Sequence, residues 1–189
     1  MNRLHHWILG SSYWKRTVLQ EIVPWSLAGV ELGDDVLELG PGPGVTTDLL
    51  RRSHKTLTCV EIDPNLAESL RRKFADKNVT VVNGDAAALP FPENSFSGAV
   101  ALTMLHHVPS RELQDRILAE VRRVLRPGGV FAGADSRWTL MMLLVHLFDT
   151  MVLVPPESMA ARLSAAGFSD VRVDTVKSRF RFSARKPQA

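Results

Sequence analysis

Val36-Leu37-Glu38-Leu39-Gly40-Pro41-Gly42-Pro43-Gly44 decides how this chain folds. A short apolar run that ends in alternating glycines reads as a buried strand entering a tight turn. Residues 45–52 can form the helix that follows, with Leu49 and Leu50 facing inward. Strand, glycine-rich turn and helix make a generic nucleotide cradle, because glycines without a Cβ let backbone N–H groups approach a ligand. A second strand, residues 57–62, carries Glu61 about 20 residues past the first glycine, where a carboxylate can accept both hydroxyls of a ribose. Packing alone can also call for such a turn, so the loop and the carboxylate are weighed together.

Strand-like and helix-like segments keep alternating outward from that loop. Asp63 suits an N-cap ahead of Pro64, and the helix running to about residue 75 places Leu66, Leu70 and Phe74 on one face. Residues 79–82 and 98–105 read as the third and fourth strands. A long helix starts at Pro109 or Ser110, carries the stripe Leu113, Ile117, Val121, Val124 and Leu125, and stops at Pro127-Gly128-Gly129; residues 130–134 are the fifth strand. Near-continuous apolar strands separated by helices indicate a parallel sheet covered on both faces. The tail breaks the pattern. Residues 157–166 form a helix ended by Gly167, then 171–175 and 179–184 form two strands joined by a turn at Val176–Ser178. Phe180, Phe182 and Ala184 alternate with Arg179, Arg181 and Ser183, which gives the last strand one dry and one wet face.

Two cofactors suit the loop: a dinucleotide or S-adenosylmethionine. The glycines at 40, 42 and 44 are spaced GxGxG rather than GxGxxG, and read from Gly42 the third fingerprint position is Thr47, which does not favour close helix packing over a pyrophosphate. Glu38, inside the strand, is unhelpful beside an anionic pyrophosphate but finds a charge partner in the ammonium of a methionine moiety, and a buried carboxylate needs one. The sulfonium cofactor is therefore favoured. After the third strand, Asn83-Gly84-Asp85 brings the Asp85 carboxylate, or the Ala86 N–H that follows it, towards the N6 and N1 edge of an adenine; an Asx turn is the plainer alternative. All these loops lie at the carboxyl ends of their strands, where open α/β sheets bind ligands.

On these residues the chain resembles the class I S-adenosylmethionine-dependent methyltransferases. The stretches VLELGPGPG (36–44), VEID (60–63), NGDAAALPFPENSF (83–96), ALTMLHHV (101–108) and VRRVLRPGG (121–129) match that family in order, and the tail matches by element order. The resemblance implies one domain over residues 1–189 with a Rossmann-like α/β fold. Its mostly parallel, seven-stranded sheet, in the order 3-2-1-4-5-7-6 with the last strand antiparallel, would be sandwiched by helices. It also implies S-adenosyl-L-methionine as cofactor, with Glu38, Gly40, Pro41, Gly42, Gly44, Glu61, Ile62, Asp85, Ala86 and Thr103 around it. LELGPGPG and VEIDPNLAESL are similar to the ribosomal-RNA adenine dimethylases, but the Asn/Asp-Leu/Phe-Pro-Tyr/Phe tetrapeptide of those enzymes is replaced here by Thr103-Met104-Leu105-His106-His107. LPFPENSF, LHH and RVLRPGG instead resemble the quinone and lipid C- and O-methyltransferases; Gly98 stands where that group usually has Asp, which bears on how strand four begins. The implied activity is in-line methyl transfer to a small apolar, aromatic or lipid acceptor. An RNA or protein methyltransferase and a non-catalytic cofactor-binding subunit of the same fold are the alternatives.

Methyl transfer from a sulfonium requires alignment and exclusion of water, and a base only where the nucleophile carries a proton. His106 and His107, just past strand four at the cleft mouth, are candidates for that base or for shaping the pocket. On an extended chain the two would take opposite faces, so joint metal ligation is unfavourable and no metal is expected. Residues 1–30, with Trp7, Tyr13, Trp14 and Trp25, are expected to form a helical cover in which Tyr13 can hydrogen-bond cofactor or acceptor. His5 and His6 have no neighbouring carboxylate or cysteine. Within the connection 137–156, residues 138–154 (WTLMMLLVHLFDTMVLV) are nearly all apolar. They are short for a membrane span and Asp149 opposes insertion, which leaves an apolar lid, a homodimer interface or a buried helix, with His146 lining the pocket or packed in the core.

Composition narrows the rest. With 189 residues and 45% hydrophobic content the chain can bury one full core, and 12 glycines and 11 prolines are too few for a collagen-like chain. One cysteine, Cys59, excludes an intramolecular disulfide. A net charge of +3 is no nucleic-acid footprint, so no specific nucleic-acid partner is expected. Lys177, Arg179, Arg181, Arg185 and Lys186 are the candidates for contact with an anionic lipid, as in peripheral membrane contact, or with RNA. The first residues lack the order of a signal peptide, and a cytoplasmic location is expected.

Overall fold

Asp35–Leu39 forms strand β1 at the centre of the sheet, its last four residues buried, as an apolar run flanked by parallel neighbours requires. The structure, a computed structural model, describes residues 11–139 and 150–188. The expectations for His5, His6, Trp7, His146, Asp149 and most of 138–154 fall outside those residues. Outward from β1 lie β2 (Thr56–Glu61) and β3 (Val79–Asn83) on one side, and β4 (Phe96–Leu102) and β5 (Leu125–Ser136) on the other, all parallel. β7 (Arg179–Arg185) runs antiparallel to β5, and β6 (Ser169–Thr175) is antiparallel to β7 at the edge. The order is β3-β2-β1-β4-β5-β7-β6, the seven-stranded arrangement expected from the sequence.

Helices cover both faces. Leu37, Leu39, Phe131, Phe180 and Phe182 pack with Ile117, Leu118 and Val121 of the helix α5 (Arg111–Val124) and with Met159 and Leu163 of α6 (Pro156–Ala165). Val36, Cys59, Val100 and Ala132, one residue out of phase, face the other way and pack with Leu50 of the helix α3 (Val45–Leu50). The helix α4 (Pro64–Lys73) begins as expected: Asp63 accepts hydrogen bonds from the N–H groups of Asn65 and Leu66. At the start of the described chain, α1 (Ser12–Thr17), a π-helical turn (Val18–Ile22) and α2 (Val23–Ser26) bury Val18, Ile22 and Val23 against Val45, Leu102 and Ala134. This segment therefore lies over the carboxyl ends of β4 and β5.

Several boundaries differ from the sequence expectation. The strand expected over 98–105 ends at Leu102, because Thr103 takes a left-handed φ of +54° with its N–H bonded to Ala134 O at 2.8 Å, and Leu105–His107 then form a 3₁₀ turn. α5 stops at Val124, before Pro127-Gly128-Gly129, because Leu125 already turns extended and pairs with Phe96; the glycines lie inside an irregular start of β5. α3 is two residues shorter than expected. The start of β4 is set by close packing against Leu32. A Cβ at Gly98 would stand 2.4 Å from Leu32 O, so no larger residue fits, and the bracing falls to Ser97, whose Oγ accepts from the Asp35 N–H at 3.0 Å and donates to Leu32 O at 2.8 Å.

Candidate functional site

The loop after β1 is built by three glycines with different duties. Gly40, Gly42 and Gly44 have φ of +59°, +55° and +72°, which a side chain would strain. A Cβ on Gly44 would lie 2.5 Å from Leu70 Cδ2, and one on Gly40 3.0 Å from Met104 Cβ, so both are packed against neighbours. A Cβ on Gly42 would meet nothing within 4 Å: that side of the loop is open. The amides are less available than the motif promised. Gly40 N–H donates to Val60 O at 2.9 Å, Gly44 N–H to Pro41 O at 3.0 Å, and Gly42 N–H to Glu61 Oε2 at 3.0 Å. The loop offers a ligand its shape more than its donors. From outside, Lys73 on α4 donates to Pro43 O and Gly44 O at 2.8 and 3.0 Å, and burial lowers its pKa.

Glu38 and Glu61 flank this loop from the strands. Glu38, only 2% exposed, accepts from Thr46 Oγ1, from Thr47 Oγ1 at 2.6 Å and from Cys59 Sγ at 3.3 Å. Where the sequence argument sought a charge for this carboxylate, three neutral donors on α3 and β2 satisfy it, and burial raises its pKa. Glu61 ends β2 with its second oxygen accepting the Asp63 N–H at 3.0 Å, so each oxygen keeps a lone pair for a further donor. Beside it Ile62 leaves its apolar side chain 69% exposed. Just after β3, whose Asn83 pairs with Glu61, Asp85 forms the Asx turn, accepting the Ala87 N–H at 2.8 Å, and Ala86 is buried. The segment beyond is clamped by α5. Glu120 accepts the Leu89 N–H at 2.8 Å, Arg123 donates to Phe91 O and Leu89 O at 2.7 and 2.9 Å, and the Arg123 guanidinium holds the Glu120 carboxyl below its ordinary range. A bidentate carboxylate, an exposed aliphatic side chain and a loop open at one Cβ position fit an adenosine with a small polar extension.

The two histidines are not arranged as an extended chain would have them. The 3₁₀ turn brings their rings into tilted contact, with centroids 4.1 Å apart and planes at 42°. His106 is turned into the interior, 3% exposed, rather than to the cleft mouth. Its Nδ1 is hydrogen-bonded to Asp135 Oδ1, its N–H donates to Asp135 Oδ2 at 3.0 Å, and the Ser136 N–H donates to Asp135 Oδ1 at 2.6 Å. Sequence reasoning missed Asp135, although its place at the carboxyl end of the fifth strand was the available signal. Among the described residues no group of three or more His, Cys, Asp or Glu is placed to hold a metal, and no helix is long and apolar enough to cross a membrane.

A cavity of about 310 Å³ lies between the N-terminal helices and the ends of β4, β5 and β7. Trp14, Ile22, Thr103, Asp135, Ser136 and Arg179 are in its wall, and most of that wall is apolar. It adjoins the glycine loop through Met104, next to Thr103 and in contact with Gly40. Tyr13, 77% exposed on α1, does not line it, whereas its neighbour Trp14 does.

Residues 37–133 match a family model described as a methyltransferase domain. A rice protein named 2-methyl-6-phytyl-1,4-hydroquinone methyltransferase 2, chloroplastic, is 31% identical over 144 residues, 75% of this chain and 40% of its own length. A probable ribosomal RNA small subunit methyltransferase A of Thermococcus onnurineus is 38% identical over 78 residues, 40% of this chain and 29% of its own. The chain thus spans less than half the length of these curated relatives. Among solved structures, a chain of the complex between the Haloferax volcanii Trm112 methyltransferase activator and the putative methyltransferase superposes with a TM-score of 0.77 at 16% identity, covering 100% of this chain and 99% of that one.

Proposed function

The chain belongs to the class I S-adenosylmethionine-dependent methyltransferases, and on that premise we propose that it transfers a methyl group to a small apolar or aromatic acceptor seated in the cavity beneath its N-terminal helices. The observation that carries this reading is the position of the cavity: its Thr103 end adjoins the glycine loop through Met104, and its walls are mostly apolar. The cofactor brings the electrophile, a methyl group on a sulfonium. The chain's residues do the holding. Glu61 accepts the ribose hydroxyls, Ile62 and Ala86 border the adenine, and the open side of Gly42 admits the rest. Trp14 and Ile22 confine the acceptor and keep water from it.

For an acceptor that carries a proton, a hydroxyl or an acidic carbon, the His106–Asp135 pair is the proposed proton sink. The carboxylate at Nδ1 fixes the orientation of the ring. His107, whose ring lies tilted against that of His106, is proposed to border the acceptor's path.

Calorimetric titration with S-adenosylmethionine and S-adenosylhomocysteine, then transfer of labelled methyl to a panel of quinols and phenolic lipids, RNA and protein, tests this reading. Binding of both nucleosides and label in the small acceptors is the expected result. Absence of binding sinks the proposal outright, and label in RNA alone would replace it with the ribosomal-RNA reading that the second relative favours.

A further inference from the structure

We infer that Arg179 is a specificity residue of the acceptor cavity, and that it recognises an oxyanion, carboxylate or phosphate, on the part of the acceptor remote from the methylated atom. This rests on the cavity being the acceptor site. On β7, Phe180 and Phe182 are buried in the core, so the alternate residues Arg179 and Arg181 face the N-terminal helices. Arg181 is fully engaged there: it donates to Trp25 O at 2.5 Å and to Asp174 at 3.0 Å, and its guanidinium lies 5.3 Å from the centre of the Trp25 ring. Arg179 is held differently. It lies in the cavity wall, and its ion pair with Glu21 is 3.9 Å long, to a side chain that is itself 67% exposed. The carboxylate in the same wall, Asp135, already accepts from His106 and Ser136.

Sheet register sets the separation. Thr103 bonds to Ala134, whereas Arg179 pairs with Ser136, two residues further along β5 and one strand beyond it. That puts the two backbones about 10 Å apart across the sheet and about 7 Å along it. The cavity thus has a reacting end at Thr103 near the glycine loop and a cationic end at Arg179, with Trp14 and Ile22 supplying apolar wall. An acceptor complementary to it is an amphipathic anion, whose oxygens the planar guanidinium fork can engage in pairs.

The test measures binding of octanoate, octyl phosphate and octanol by calorimetry to the full chain saturated with S-adenosylhomocysteine. At least one anion should bind about 10- to 100-fold more tightly than octanol, the span expected of a hydrogen bond to a charged group. The better of the two anions tells carboxylate from phosphate. Arg179→Gln should erase that preference while octanol and S-adenosylhomocysteine bind as before. Glu21→Gln, which removes a competing carboxylate, should preserve or strengthen anion binding. Equal affinity for all three probes in the wild type overturns the inference, as does a preference that survives in Arg179→Gln. A loss in Glu21→Gln as large as in Arg179→Gln also overturns it, by making the pair a docking contact. Should Arg179→Gln not fold, the wild-type ratio and Glu21→Gln decide. Failure of S-adenosylhomocysteine to bind would instead strike the methyltransferase reading itself, and is read separately.

Discussion

Single residues separate what the glycine loop does for folding from what it does for a ligand. Gly44→Ala must accept a left-handed φ and a contact with Leu70 and Phe74, and should cost about 2–4 kcal/mol in urea unfolding. Gly42→Ala carries the strain without the clash, at about 1–2 kcal/mol, yet its methyl group points into the open side of the loop. It should weaken S-adenosylhomocysteine binding by about tenfold or more, with calorimetry as the check; equal losses of stability in the two variants would refute the division of labour. Glu38 gives a pH signature. Burial raises its folded-state pKa, so the folded protein holds this proton more tightly than the unfolded chain does. Its contribution to stability is full below the unfolded value of about 4.5 and is lost as pH rises through the folded one. Glu38→Gln should therefore be stabilising at pH 7, shown by a raised Tm, and should flatten the dependence of Tm on pH; the threonine hydroxyls can turn to accept from the amide. For the proposed proton sink, Asp135→Asn should lower kcat on a hydroxyl acceptor by about 10²- to 10⁴-fold, with cofactor affinity intact.

At the scale of elements, what could be read in advance was what depends on neighbours in sequence. Apolar runs, the Asp63 cap, the proline after it and the Phe180–Ala184 alternation are local signals, and the strands and helices they mark are present. The break after β4 was not legible, because Thr103 is a β-branched residue with ordinary strand preference and its left-handed turn is set by a bond to Ala134, 31 positions away. The same holds for His106, whose orientation is governed by Asp135 on another strand. The sequence could say that histidines follow β4 but not which way they face. Glu38 found its partners in Thr46 and Thr47 because the tight turn brings α3 back over β1. Arg162 shows a helix tie of this non-local kind: from α6 it donates to Asp115 at 2.5 Å, Gln114 at 3.0 Å and Arg111 O at 3.3 Å on α5. Arg162→Met should cost about 1–3 kcal/mol in denaturant unfolding and leave cofactor binding unchanged.

For the whole molecule, the sheet supplies rigid strand ends and two clamps bring the site together. Lys73 fixes the glycine loop to α4, and Arg123 with Glu120 fixes the segment after Asp85 to α5. The N-terminal helices close the third side, and Ile22 serves both that docking and the cavity wall. Ile22→Ala should cost about 2–4 kcal/mol and, by enlarging the cavity, raise KM for small acceptors more than it changes cofactor affinity. Steady-state kinetics against a size series of acceptors would reveal the shift.

The internal bonding of Gly40, Gly42 and Gly44 has a consequence for the timing of ligand capture. A loop whose three amides are already satisfied has little ordering left to do when a ligand arrives, so association resembles insertion into a finished socket. The heat-capacity change on binding should then match the surface the ligand covers, with no folding component. In hydrogen exchange those three amides should be slow before any nucleoside is added and nearly as slow afterwards.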